Sequence, residues 1–233
     1  EDQAKDRATE VRGRITGSIN REDLADCDLV VEAIVEDLDA KKELFGALGK
    51  LCKAETIFAS NTSSFPVAEM AVASGRPERF VGLHFFNPVQ LMRLVEVVRT
   101  DATDEDVYAA ARAFGEACGK TPVSCKDTPG FVVNRLLVPY MVQAINMLDR
   151  GDASAADIDA AMQLGCGHPM GPLTLTDYVG LDTTLSILEG WCERYPNEPA
   201  FGIPDSLRSK VAEGKLGRKT GQGYYTWEGD KKS

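Results

Sequence analysis

The sequence predicts an α/β sheet domain followed by an all-α domain, and three observations carry that reading. From Arg14 to Lys126, short apolar runs alternate with amphipathic stretches, the pattern of strands and helices packed in one sheet. After Asp127 the strand-like runs stop and longer helical patterns take over. Composition is ordinary for a folded chain of 233 residues, with 43% hydrophobic and 27% charged side chains, which excludes wholesale disorder.

The elements follow in order. Residues 1–13 are polar with a helical pattern, as though the chain were entered midway. Asp28-Leu-Val-Val-Glu-Ala-Ile-Val35 reads as a strand buried on both faces. Leu38, Leu44, Phe45, Leu48 and Leu51 recur at helical spacing within 37–53. A strand at 57–60 and a short helix from about Val67 come next. Phe80–Phe86 and Leu94–Val98 form two strands separated by an Asn87-Pro88 turn. A helix over 104–118 and a strand at 122–125 close the first domain, residues 1–126. In the second, 127–233, Thr128-Pro129-Gly130 reads as a helix N-cap with proline at the first position. That helix runs to about Leu148 with Pro139 inside it, and should kink there. Further helices are expected over 153–164, 173–195 and 204–212, ahead of a glycine-rich tail ending on Tyr224-Tyr225.

Charge and cysteine usage exclude several functions. A net charge of −10 repels a phosphate backbone, so nucleic acid is not an expected partner. No apolar run approaches the roughly 20 residues of a membrane span. Cys27, Cys52, Cys118, Cys125, Cys166 and Cys192 contain no CxxC pair and read as reduced thiols of a cytoplasm-like compartment. Cys166-x-His168 lacks a second ligand pair, so no metal site is expected.

Candidate chemistry gathers where strands end, because open α/β sheets place ligands beyond the carboxyl ends of their strands. His84 lies near such an end. Glu96 interrupts the next apolar strand, where a carboxylate needs a partner. The two could be a base and the residue that orients it, or a core histidine beside an unrelated glutamate. Ser60-Asn-Thr-Ser-Ser64 is either a capped strand–helix turn or a set of hydroxyl donors in the same crevice. Asn134, inside an apolar helix, is structural glue or a substrate contact; spacing leaves both open. Arg218 and Lys219 could meet an anionic ligand or form a solvated loop.

Asp28–Glu36, Ile57–Ser64, Gly82-Leu-His-Phe-Phe-Asn-Pro88, Pro122–Phe131, His168-Pro-Met-Gly-Pro172 and Lys219-Thr-Gly-Gln-Gly-Tyr224 occur in a fixed order. Together they resemble the 3-hydroxyacyl-CoA dehydrogenase family, near its short-chain 3-hydroxybutyryl-CoA type, from about residue 14 onward. The resemblance implies a Rossmann-like NAD-binding domain and a helical substrate and dimerisation domain. It implies His84 as general base, Glu96 as its orienting carboxylate, and Ser63 and Asn134 at the substrate oxygen. Cofactor contacts carry over to Glu36, Lys41, Ser63, Asn87 and Lys219, while His168 stays a loop residue. The implied cofactor is NAD, with NADP left open; the implied partners are an acyl-CoA substrate and a second copy of the chain. The implied compartment is the cytoplasm, or the mitochondrial matrix in a eukaryote. The family's opening Gly-x-Gly-x-x-Gly turn is not found here: Gly13 and Gly17 lack the third glycine and the preceding strand. The expectation is therefore a chain truncated at its N-terminus, incomplete as an NAD-binding domain and inactive alone. A non-catalytic relative of the fold, or an excerpt of a multifunctional β-oxidation enzyme, are the alternatives.

Overall fold

The computed structural model describes residues 2–233, with side chains from residue 5 onward. It divides into two compact units, 1–127 and 128–233. The division falls one residue beyond the expected boundary, because Asp127 serves the first unit. Its carboxylate accepts from the backbone N–H of Val67 and Ala68 at 3.0 and 2.8 Å, two donors a helix start leaves unpaired.

In the first unit, α1 spans Asp2–Arg12. A five-stranded sheet follows, built from β1 (Leu29–Glu32), β2 (Ile57–Ser60), β3 (Phe80–Phe85), β4 (Leu94–Arg99) and β5 (Thr121–Lys126) in sequential order. Its helices are α2 (Leu38–Leu51), α3 (Val67–Ala73) and α4 (Glu105–Ala117). Strands β1, β2 and β3 are parallel, as are β4 and β5, whereas β3 and β4 are antiparallel. Residues 86–93 are too few for a crossover and can only return the chain alongside β3. Alternation along the strands sorts the core. Phe58 and Phe80 pack tilted and edge-on against Phe45 of α2, at centroid distances of 5.9 and 4.5 Å. Ala59, Val81, Leu83, Val95 and Val97 pack with Val107 and Ala111 of α4.

β1 corrects one expectation. It is shorter than 28–35 and is not buried on both faces: Val31 is 38% exposed, Ile34 43% and Val35 72%. β1 pairs only with β2 and lies at the sheet's edge.

In the second unit, α5 spans Val133–Asp149, starting four residues later than the Thr128 cap implied. Gly130 and Phe131 adopt positive φ, +72° and +55°, a left-handed step that no helix continues through. A side chain on Gly130 would also strike the Trp191 ring at 2.5 Å. α5 runs through Pro139 as a single element. α6 (Ala155–Cys166) starts at the Ser154 cap, whose hydroxyl accepts from Asp157 N–H. The expected helix over 173–195 is two, α7 (Pro172–Val179) and α8 (Leu181–Arg194), broken where Gly180 takes φ +97°. α9 is Asp205–Ala212. The strands do not wholly stop after Asp127, since β6 (Trp227–Glu228) and β7 (Lys231–Lys232) form a short antiparallel hairpin. The main core joins Val138, Met141, Leu188, Trp191, Phe201 and Leu207.

Buried Asp177 organises the tail. Its carboxylate accepts from Tyr224 N–H at 2.8 Å, Tyr225 N–H at 3.0 Å and Trp227 Nε1–H at 2.8 Å. Added side chains on Gly217 or Gly223 would collide with Asp177. The glycine-rich motif is thus a close fit around a buried carboxylate, and Gly217 and Gly223 are needed for packing.

Candidate active site

The geometry begins with strand register. His84 and Glu96 are directly opposite residues of antiparallel β3 and β4, so their side chains emerge on the same face as immediate neighbours. His84 Nδ1 lies 2.7 Å from Glu96 Oε2; His84 is 4% exposed and Glu96 0%. A carboxylate can only accept, so it fixes the proton on Nδ1 and leaves Nε2 as the acceptor. Ser63 Oγ sits 3.1 Å from that Nε2. Gly82, on the same strand face, would meet Val98 Cβ at 2.7 Å if it carried a side chain, so glycine lets β3 pack closely beside the dyad. The Phe86 ring flanks the imidazole, with centroids 4.5 Å apart.

The loop after β2 is tied on two sides. Asn61 Oδ1 accepts from Phe85 N–H at 2.8 Å, fastening it to β3. Glu36 Oε1 accepts from Thr62 Oγ1 at 2.6 Å, Ser63 N–H at 2.9 Å and Ser64 Oγ at 3.1 Å. Burial pushes the Glu36 pKa up, but the Thr62 and Ser63 hydrogen bonds and the Lys41 ammonium outweigh it and hold it below the ordinary value. Lys41 Nζ lies 3.1 Å from Glu36 Oε2 and 2.6 Å from Glu32 Oε1, with its side chain 1% exposed. Burial, then the Glu96 and Asp127 carboxylates, pushes the Cys125 thiol up to about 12. It stays protonated and does not compete as a nucleophile.

Among the residues singled out in the sequence, Glu36, Lys41, Ser63, His84 and Glu96 are brought together in the first unit. Asn87 lies exposed in the loop after β3. Lys41 does not present a free ammonium to a ligand; it is enclosed between two carboxylates. In the second unit, Asn134 lies half-buried in the first turn of α5, and Lys219 Nζ pairs with Asp182 at 2.6 Å. His168 Nδ1 meets Tyr140 OH at 3.2 Å.

Glu32 is the residue that sequence reasoning misses. A carboxylate interrupting the apolar run 28–35 is the same signal that singles out Glu96. Lys41 falls on the helical stripe of Phe45 and Leu48, which marks it as buried and in need of a counter-charge.

An α/β sheet carrying a histidine–carboxylate dyad and a hydroxyl loop at its strand ends defines a class: a strand-end site equipped for acid–base chemistry. The chain belongs to the 3-hydroxyacyl-CoA dehydrogenase family. Residues 1–128 match the family's NAD binding domain and 130–227 its C-terminal domain. It is similar to the mitochondrial hydroxyacyl-coenzyme A dehydrogenase of Mus musculus, 56% identical over 201 residues, 86% of this chain and 64% of the relative. The chain thus spans a little under two thirds of that relative's length. It is 46% identical over 217 residues to the 3-hydroxybutyryl-CoA dehydrogenase of Mycobacterium tuberculosis, covering 92% and 76% of the two chains. The crystal structure of (S)-3-hydroxybutyryl-CoA dehydrogenase from Ralstonia eutropha superposes with a TM-score of 0.91 at 41% identity, over 94% of this chain and 77% of that one.

Proposed function

We propose that this chain carries the catalytic site of an NAD-dependent dehydrogenase that interconverts 3-hydroxyacyl-CoA and 3-oxoacyl-CoA, with a short acyl chain. The observation that carries it is the Ser63–His84–Glu96 line of contacts at 3.1 and 2.7 Å. A scaffold without turnover has no need of a buried carboxylate fixing the tautomer of a histidine whose other nitrogen faces a hydroxyl.

In this reading Nε2 of His84 takes the proton of the substrate's 3-hydroxyl as C3 is oxidised, and returns it in the reverse direction. Glu96 holds Nδ1–H and stabilises the imidazolium that forms. Ser63 donates its hydroxyl to the substrate oxygen as that becomes a carbonyl, a preorganised contact of the kind that dominates many sites. Asn134, in the helical unit, is proposed as a substrate contact on the family resemblance. A bound nicotinamide supplies the hydride acceptor. The polar groups after β1, β2 and β3 suit that end of the cofactor in their chemistry: the Ser63 hydroxyl on the base, the Glu36 carboxylate on the serine loop, and Asn87, exposed in the loop after β3. Lys41 acts in this account by holding Glu36, and Lys219, in the helical unit, has Asp182 as its counter-charge.

The partners proposed are the acyl-CoA and a second copy of the chain, docked through the helical unit, where Leu136 and Leu164 are 69% and 88% exposed. Six free cysteines suit a reducing compartment, the cytoplasm or the mitochondrial matrix. No helix among the described residues is long and apolar enough to cross a membrane.

The test is NADH oxidation with acetoacetyl-CoA by the protein as its gene encodes it. Turnover is expected, with NADPH a poorer donor. Tight NADH binding without turnover would point instead to a non-catalytic relative.

A further inference from the structure

Outside the dyad, the serine loop has a buried mount. Glu32, on edge strand β1, is only 3% exposed. Its Oε1 accepts from Lys41 Nζ and from Ile34 N–H, both at 2.6 Å, and its Oε2 accepts from Ser60 Oγ at 2.6 Å. Lys41 turns to Glu36 at 3.1 Å, and Glu36 grips Thr62 Oγ1, Ser63 N–H and Ser64 Oγ. Ser63 Oγ then meets Nε2 of His84. One line of polar contacts runs from Glu32 to Glu96, entirely within the first unit.

An ion pair that only fastened α2 to β1 would be complete with Glu32 and Lys41. Here the ammonium holds a second carboxylate, and that carboxylate binds the backbone of Ser63, whose hydroxyl faces the base. The anchor of this network, Glu32 with Lys41 and Ser60, is buried, while the Glu36 side chain is 39% exposed. A buried polar anchor is rigid when every member is satisfied and is disturbed as a unit when one is lost. We propose that Glu32 is a positioning residue for Ser63: through Lys41 and Glu36 it fixes the serine hydroxyl on Nε2 of His84. The proposal rests on the dehydrogenase reading for its kinetic consequence, although the contact line itself does not.

Glu32→Gln keeps the shape and removes the charge. Lys41 is then left with Glu36 alone, draws it inward and loosens its grip on Ser63 N–H. In the protein as its gene encodes it, kcat with acetoacetyl-CoA should fall roughly 10–100-fold, the cost of a small misplacement in a site, with KM essentially unchanged. In a Ser63→Ala background the same substitution should have no further effect on kcat. Effects that multiply, or a lowered melting temperature with kcat retained, overturn the proposal. Should Glu32→Gln fail to fold, Ser60→Ala removes one hydrogen bond to Glu32 and takes its place in the cycle: a fall in kcat that vanishes in the Ser63→Ala background supports the mount, and effects that multiply overturn it. A readout independent of turnover is the ¹⁵N resonance of His84 Nε2. It should move in the same direction in Glu32→Gln and Ser63→Ala. Movement in Ser63→Ala alone overturns the mount; movement in both without any turnover keeps the mount and overturns the dehydrogenase reading.

Discussion

Glu36 remains a carboxylate although burial works against it, and the groups that keep it charged are the ones that shape the serine loop. Its folded pKa lies below the ordinary 4.5, so the unfolded chain binds that proton more readily than the folded one. Stability from this group is therefore complete above its ordinary value and is lost as pH falls through its lowered folded value. The consequence is local. Hydrogen-exchange protection of the Ser63 amide should hold from neutral pH to about 5 and collapse in more acid solution, while Glu36→Gln should remove that pH dependence. Protection that changes with pH identically in wild type and variant would separate Glu36 from the loop. At this scale the sequence is partly legible. His84 and Glu96 are visible because each interrupts an apolar strand, and cross-strand register turns two separate oddities into a pair. Glu32 carries the same mark but is hidden in a run that reads as buried on both faces. Its partner Lys41 lies nine residues on, in a different element, which no strand periodicity connects.

At the scale of elements, strands are more legible than helix ends. Sheet order follows from alternating apolar runs, and a short connection forces β4 to run antiparallel. Helix boundaries turn instead on backbone conformations that composition does not show. Gly180 at φ +97° divides α7 from α8, and Phe131 at φ +55° delays α5; a phenylalanine there gives no warning at all. The tail motif draws the eye to its basic residues, whereas its glycines matter because they fit around Asp177. Asp177→Ala would leave three donors without this acceptor, the buried Trp227 Nε1–H and the half-buried Tyr224 and Tyr225 N–H groups. Each such loss costs on the order of 1–3 kcal/mol, so denaturant unfolding should show a loss of about 3 kcal/mol or more. Trp227 emission should shift to the red as the hairpin detaches. An unchanged midpoint would mean that the tail is held by something other than this carboxylate.

For the molecule as a whole, the division into a sheet unit and a helical unit follows the change of pattern at Asp127, and the first unit contains the dyad complete. Its elements share one arrangement: strand ends on one side of the sheet present a base, the carboxylate that orients it, and a loop whose hydroxyl is held on the base. The most direct test of that account is single-turnover NADH oxidation with acetoacetyl-CoA, comparing wild type with His84→Gln in the protein as its gene encodes it. The chemical step should slow by roughly 10²–10⁴-fold, the worth of a positioned general acid–base, while NADH and acyl-CoA affinities change little. A variant that turns over at close to the wild-type rate would contradict the account, because the buried Glu96 and the mounted Ser63 would then be serving a histidine that moves no proton.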